Sequence, residues 1–190
     1  IKIKTGQSQN NKQYYNLPDN IKLQYYGAGH QLLEKSKVII DDYPEFKLRK
    51  DALLLIVQSQ FYLQEYKNAQ GSLSLMKSEF GSTVTFETAF WSSMIKWKEG
   101  KVQPAINELS GLFDNKLSSN NKAKIYLSIA EIYFDQKMIS LSMDNLVKAA
   151  ELIRDPNEKG QIYYRIADIS FNENDFTRAL EAYKLVIKNS

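Results

Sequence analysis

A short step of small and turn-forming residues returns along this chain at almost constant intervals, and that recurrence constrains the fold more than any single motif. It appears as Glu65-Tyr66-Lys67-Asn68-Ala69, Lys101-Val102-Gln103-Pro104-Ala105, Met138-Ile139-Ser140-Leu141-Ser142 and Asp175-Phe176-Thr177-Arg178-Ala179. The anchors Ala69, Ala105, Ser142 and Ala179 are 36, 37 and 37 residues apart, and a further 37 back lies Leu32. Five units fit the 190 residues.

Each unit reads alike inside. Twelve residues before the anchor stands a small or β-branched residue (Val57, Ser93, Ala130, Ala167), and eight before it an aromatic one (Phe61, Trp97, Phe134, Phe171). Four and seven after it the residues are apolar: Leu73 and Met76, Leu109 and Leu112, Leu146 and Ala149, Tyr183 and Val186. Spacings of three, four and seven mark one face of a helix. Gln64-Glu65, Glu99-Gly100-Lys101 and Glu173-Asn174-Asp175 supply turns between two helices, and Tyr43-Pro44, Phe80-Gly81-Ser82, residues 118–121 and Asp155-Pro156-Asn157 supply stops and restarts between units. The expected fold is all-α, a solenoid of about five helix-turn-helix repeats of 36–37 residues over residues 21–190. Residues 1–20, rich in Gln, Asn, Ser and Lys, are expected to form a flexible arm or linker.

The order of small residue, aromatic, turn, aromatic and small residue resembles the tetratricopeptide repeat (TPR), most clearly in Ile166-Ala167-Asp168-Ile169-Ser170-Phe171 followed by Asn174-Asp175-Phe176, Ala179 and Tyr183. The likeness covers residues 17–190. The chain departs from the usual pattern in its period, two or three residues longer, and in its turn glycine, kept only at Gly100. Glu34-Lys35-Ser36-Lys37-Val38-Ile39, Asp42-Tyr43-Pro44-Glu45-Phe46 and Asp51-Ala52-Leu53-Leu54 are similar to TPR lipoproteins of the Gram-negative outer membrane. Ala149-Ala150-Glu151-Leu152-Ile153-Arg154 and Tyr163-Tyr164-Arg165-Ile166-Ala167 are similar to gliding-motility and type IX secretion lipoproteins of Bacteroidota. That resemblance implies the periplasmic face of the outer membrane, with a lipid anchor on a Cys upstream of residue 1.

Little in the sequence supports chemistry. There is no Cys, and the one imidazole, His30, cannot assemble a zinc site of the usual type, nor a Ser-His or Cys-His pair with redundancy; a surface or packing role is expected for it. Gly27-Ala28-Gly29 lacks the remainder of a phosphate loop and is read as the turn inside unit one. Asp41-Asp42 falls in water at a helix end. No catalytic residue, metal or cofactor is expected. The longest apolar run, residues 52–57, is far short of the about 20 needed to span a membrane. Twenty-five Lys and Arg are interleaved with 22 Asp and Glu, which argues against a phosphate-binding stripe and hence against nucleic acid.

Binding is the remaining function. First helices of successive units line the inner curve of such a stack. Phe61, Trp97, Phe134 and Phe171 are expected there, with Leu54, Phe90, Leu127 and Tyr164 two turns earlier and Gln58, Met94, Glu131 and Asp168 between. Together with Trp91 they would form an apolar, aromatic groove, acidic toward its C-terminal half, for a protein or peptide partner; packing between neighbouring helices is the competing role for the same rings. TPR modules that clamp carboxylates place Lys and Asn on these faces, and here only Lys124 matches. The expected function is a non-enzymatic scaffold for a secretion or motility apparatus. Outer-membrane β-barrel assembly is the alternative, and RNA binding by a helical repeat is the alternative of another class. The apolar face of residues 179–187 has no polar covering helix after it, so a continuation or a partner is expected there.

Overall fold

The computed structural model describes residues 19–43 and 48–189, with side chains from residue 29 onward. Those residues form nine α-helices: α1 (Asp19–Asp42), α2 (Arg49–Tyr62), α3 (Tyr66–Phe80), α4 (Thr85–Lys98), α5 (Val102–Gly111), α6 (Ser119–Asp135), α7 (Ile139–Leu152), α8 (Pro156–Asn172) and α9 (Phe176–Lys188), with a 3-10 turn at Gly81–Val84 between α3 and α4. Helices α2/α3, α4/α5, α6/α7 and α8/α9 are antiparallel pairs stacked in chain order. The fold is an all-α solenoid.

The period seen in the sequence is written into the backbone. Gln64, Gly100, Lys137 and Asn174, five residues before the four anchors, all take positive φ, between 59° and 85°. At each, the first helix closes by a pair of reversed hydrogen bonds. Glu65 N–H donates to Gln60 O while Gln64 N–H donates to Phe61 O, and the same pattern recurs at Lys101/Gly100, Met138/Lys137 and Asp175/Asn174. Left-handed backbone strains any residue with a Cβ, by about 1–2 kcal/mol. Lys137→Gly is therefore expected to stabilise the chain by about 0.5–1 kcal/mol once the freedom regained by the unfolded chain is counted. Gly100→Ala, at φ 85° with open space around the glycine, should cost a similar amount through strain alone. Thermal melts of the two variants should move in opposite directions by a few degrees; a shared direction would refute this account of the turns.

Restarts between pairs use ordinary caps. The Ser118 Oγ accepts from Asn121 N–H at the start of α6, and the Asp155 carboxylate accepts from Glu158 N–H at the start of α8, where Pro156 occupies a first-turn position whose N–H needs no helical partner.

Small residues set how closely the helices of a pair approach. Val57, Ser93, Ala130 and Ala167 on the first helices and Ala69, Ala105, Ser142 and Ala179 on the second are all buried. In the third pair the two sets touch directly, with Ser142 Oγ donating to Ala130 O at 2.8 Å. Between successive pairs the contacts are large and apolar: Val57, Phe61, Phe90, Trp91, Met94, Ile95, Trp97 and Ile129 belong to one cluster that runs from α2 to α6, and Leu146, Ile162, Ile166 and Ile169 to another that runs from α6 to α9.

Unit one departs from expectation. Gly27-Ala28-Gly29 is not a turn, because α1 is one helix of 24 residues that passes straight through it. A glycine inside a helix costs about 1 kcal/mol relative to alanine, which packing overrides here. Gly29, Leu33, Ser36 and Ile40 lie at helical spacing on one side of α1, Leu33 and Ser36 are buried, and Gly29 faces Leu63 closely enough that an added Cβ would stand 3.4 Å from its Cδ2. Arg49 ties this end together. Its guanidinium binds the Glu79 carboxylate through two 2.8 Å bonds and donates to Ile40 O, linking α1, α2 and α3 and holding the Glu79 carboxyl below its usual range. The stack is thus four pairs preceded by one long helix. Apart from Asp19 and Asn20, which open α1, the arm expected over residues 1–20 lies outside the described residues, as does Pro44.

Candidate functional site: the inner helix faces

Helix α4 contacts both α2 and α6, whereas α3, α5 and α7 do not meet one another. The first helices α2, α4 and α6 therefore crowd together on the inner curve, and second helices spread on the outer one. Consecutive first helices are also joined by charge. The Lys98 ammonium on α4 lies 3.7 Å from the Asp135 carboxylate on α6, and Arg165 on α8 pairs with Glu131 on α6. Glu87 on α4 attracts Lys124 on α6.

The candidate groove residues divide into three groups. Phe61, Phe90, Trp91, Met94, Trp97 and Glu131 are buried, and the open aromatic groove expected from them is filled by these side chains themselves. Phe61 and Phe90 each meet the Trp91 ring edge-on, at centroid distances of 5.2 and 5.4 Å, and Phe86 stacks on Phe90. The rings point along the stack toward the next pair, where burial of aromatic area contributes most. Leu54, Gln58, Leu127, Phe134 and Asp168 are half-buried, and only Tyr164 and Phe171, in the last pair, are exposed. The acidic C-terminal half is also weaker than expected, since Arg165 neutralises Glu131 and its guanidinium carbon lies 5.6 Å over the Phe134 ring.

Other residues supply the accessible inner surface. Tyr62 is 54% exposed, Leu55 is at the margin of exposure, and Tyr62 stands edge-on to Trp91 at 6.2 Å. Lys124 rests on the aromatic cluster, its ammonium 4.2 Å over the Phe90 ring and 5.2 Å from that of Trp91. Burial lowers the Lys124 pKa, and Glu87 opposes that shift; at Lys98 burial also lowers it, against the pull of Asp135. Both ammonium groups are short of solvation, a state that favours an incoming anion. Tyr62, Lys98, Asp135 and Asn172 occupy the same place in successive units, so the 36- and 37-residue period carried the signal. It is a polar ladder, and a search for apolar repeats passes over it.

Chemistry is sparsely represented. His30 is exposed on α1, and among the described residues no group of three potential metal ligands comes together. A cleft of about 390 Å³ lies between Phe113, Tyr126, Lys122, Lys148 and Glu151 and is open to solvent. No described helix is long and apolar enough to cross a membrane.

Comparison with known proteins agrees with this geometry. The tetratricopeptide repeat family profile matches residues 160–190, which comprise most of α8 and all of α9. No curated protein matches the chain. Similar solved structures include a MamA RS-1 ArsTM double mutant (TM-score 0.55, 16% identity, 96% of each chain) and MamA 41-end from Desulfovibrio magneticus RS-1 (TM-score 0.54, 15% identity, covering 96% of this chain and 97% of that one). Another is described as the crystal structure of MamA, with TM-score 0.53 and 15% identity over 92% of this chain and 95% of that one. At such identities the likeness is one of fold.

Proposed function

We propose that this chain is a non-enzymatic protein-interaction scaffold whose inner helix faces hold an extended segment of a partner protein. The observation that carries the reading is the Lys124 ammonium, half-buried on the Phe90 and Trp91 rings, with the exposed Tyr62 ring edge-on to Trp91. A desolvated cation on an aromatic floor offers an acidic side chain a strong charge-assisted bond, and Tyr62 offers contact area at low entropy cost. The segments around Asp42-Tyr43-Pro44 and Asp51-Ala52-Leu53 support a place among envelope TPR proteins, at the periplasmic face of the outer membrane, and those around Ala149-Ala150-Glu151 and Tyr163-Tyr164-Arg165 support service to a secretion or motility apparatus.

The test uses side chains that lie outside the buried core clusters. Capture of partners from a native cell envelope should fall about tenfold or more with Lys124→Glu, and Tyr62→Ala should weaken it by about 1–2 kcal/mol. Circular dichroism should show both variants folded. Undiminished capture by both would overturn the inner-face reading, and fractionation of the native protein away from the outer membrane would overturn the address.

A further inference from the structure

The last pair exposes places that the second and third pairs bury or half-bury. Phe171 and Tyr164 on α8 are 54% and 47% exposed, whereas Trp97 and Phe90, at the same places in α4, are buried. On α9, Phe176, Leu180 and Ile187 stand in solvent. Their counterparts on α7, one period back, are Ile139, Met143 and Ala150, all packed in the core that α8 completes. Phe171 and Phe176 meet edge-on at 5.5 Å, and Tyr164 meets Tyr183 at 6.0 Å, so the rings pair between α8 and α9 rather than standing singly.

A charge lies in the same register. Glu131 on α6 is buried and is neutralised by Arg165, which the following first helix brings to it. Asp168 holds the place of Glu131 one unit later. It is half-buried, its neighbours include Tyr164 and Tyr183, and among the described residues it has neither an ion-pair nor a hydrogen-bond partner. Burial raises its carboxyl above the usual range, as befits an acid without a counter-charge.

We propose that this end face docks an amphipathic helix of a separate protein, one that carries an arginine in the register Arg165 occupies against Glu131. Two observations support this occupant: the face continues an interface already formed between successive pairs within the chain, and its unmatched carboxylate favours a cation. The inference goes beyond the inner-face reading and does not depend on it, since the two surfaces share none of the residues tested.

A peptide with the sequence of α8, Pro156–Asn172, is the natural probe because that helix covers the equivalent face of the third pair. Held helical by a side-chain lactam and labelled for fluorescence anisotropy, it should bind the full chain saturably. The same peptide with Arg165→Glu should bind about tenfold or more weakly. Asp168→Lys in the protein should reverse that preference, and Leu180→Glu should abolish binding while leaving the circular dichroism spectrum unchanged. No binding, equal binding of the Arg and Glu peptides, or binding indifferent to Leu180→Glu would overturn the proposal. So would a dimer, seen by light scattering, that excludes the peptide and is lost with Leu180→Glu, since the face would then belong to a second copy. A longer form of the chain whose own following helix blocks the peptide would overturn it equally.

Discussion

Phe90→Ala is expected to lower stability by about 3–5 kcal/mol, a large fraction of the about 5–15 kcal/mol that keeps a domain of this kind folded. The ring is 2% exposed. It stacks on Phe86, meets Trp91 edge-on and carries the Lys124 ammonium on its face. Truncation leaves a cavity between α2, α4 and α6 and removes the floor beneath a desolvated cation, so packing and cation–π terms are lost together. Phe171→Ala in the last pair removes the same kind of ring from solvent and should cost less than about 1 kcal/mol. Urea unfolding of the two variants compares them under one set of conditions. Equal losses would contradict the burial of α4, and a mild Phe90→Ala would return that ring to an open groove. The result also constrains binding experiments: a variant lacking Phe90 or Trp97 loses partners because the stack weakens, and only Tyr62 and Lys124 report on recognition.

Much of this architecture was legible in the residues. The anchors Ala69, Ala105, Ser142 and Ala179 located the pairs because close helix approach admits only small side chains there, and the left-handed residues fall five positions before each anchor whatever their identity. Lys137 and Asn174 adopt glycine's usual conformation because the two reversed hydrogen bonds and the following helix hold them in it. The Gly27-Ala28-Gly29 segment was misread because glycine marks a turn only when nothing else favours helix, and Leu33, Ser36 and Ile40 continue one face through it. The inner surface was misread for a different reason. Spacing identifies which residues share a face but not which face turns inward, and adjacent positions are about 100° apart around a helix. In α2, Phe61 points along the stack while the next residue, Tyr62, points into water.

Arg165→Met is the second large effect, expected to destabilise by about 3–5 kcal/mol because it leaves the Glu131 carboxylate buried without its cation. Glu131→Leu alone should cost less, since Arg165 is the more accessible partner and its guanidinium keeps the Phe134 ring beneath it. Combining the two should recover most of the loss, because apolar groups of similar volume replace a buried ion pair at little or no net cost. A double-mutant cycle by urea unfolding measures this as a coupling of about 2 kcal/mol or more. Additive losses would mean that the two charges are solvated separately and that Arg165 does not register α8 on α6. The same reasoning reaches the open end. If pairing between Glu131 and Arg165 sets the register of one pair on the next, then a helix brought to Asp168 must supply the missing charge, and one that cannot is rejected by the cost of burying that carboxylate unpaired.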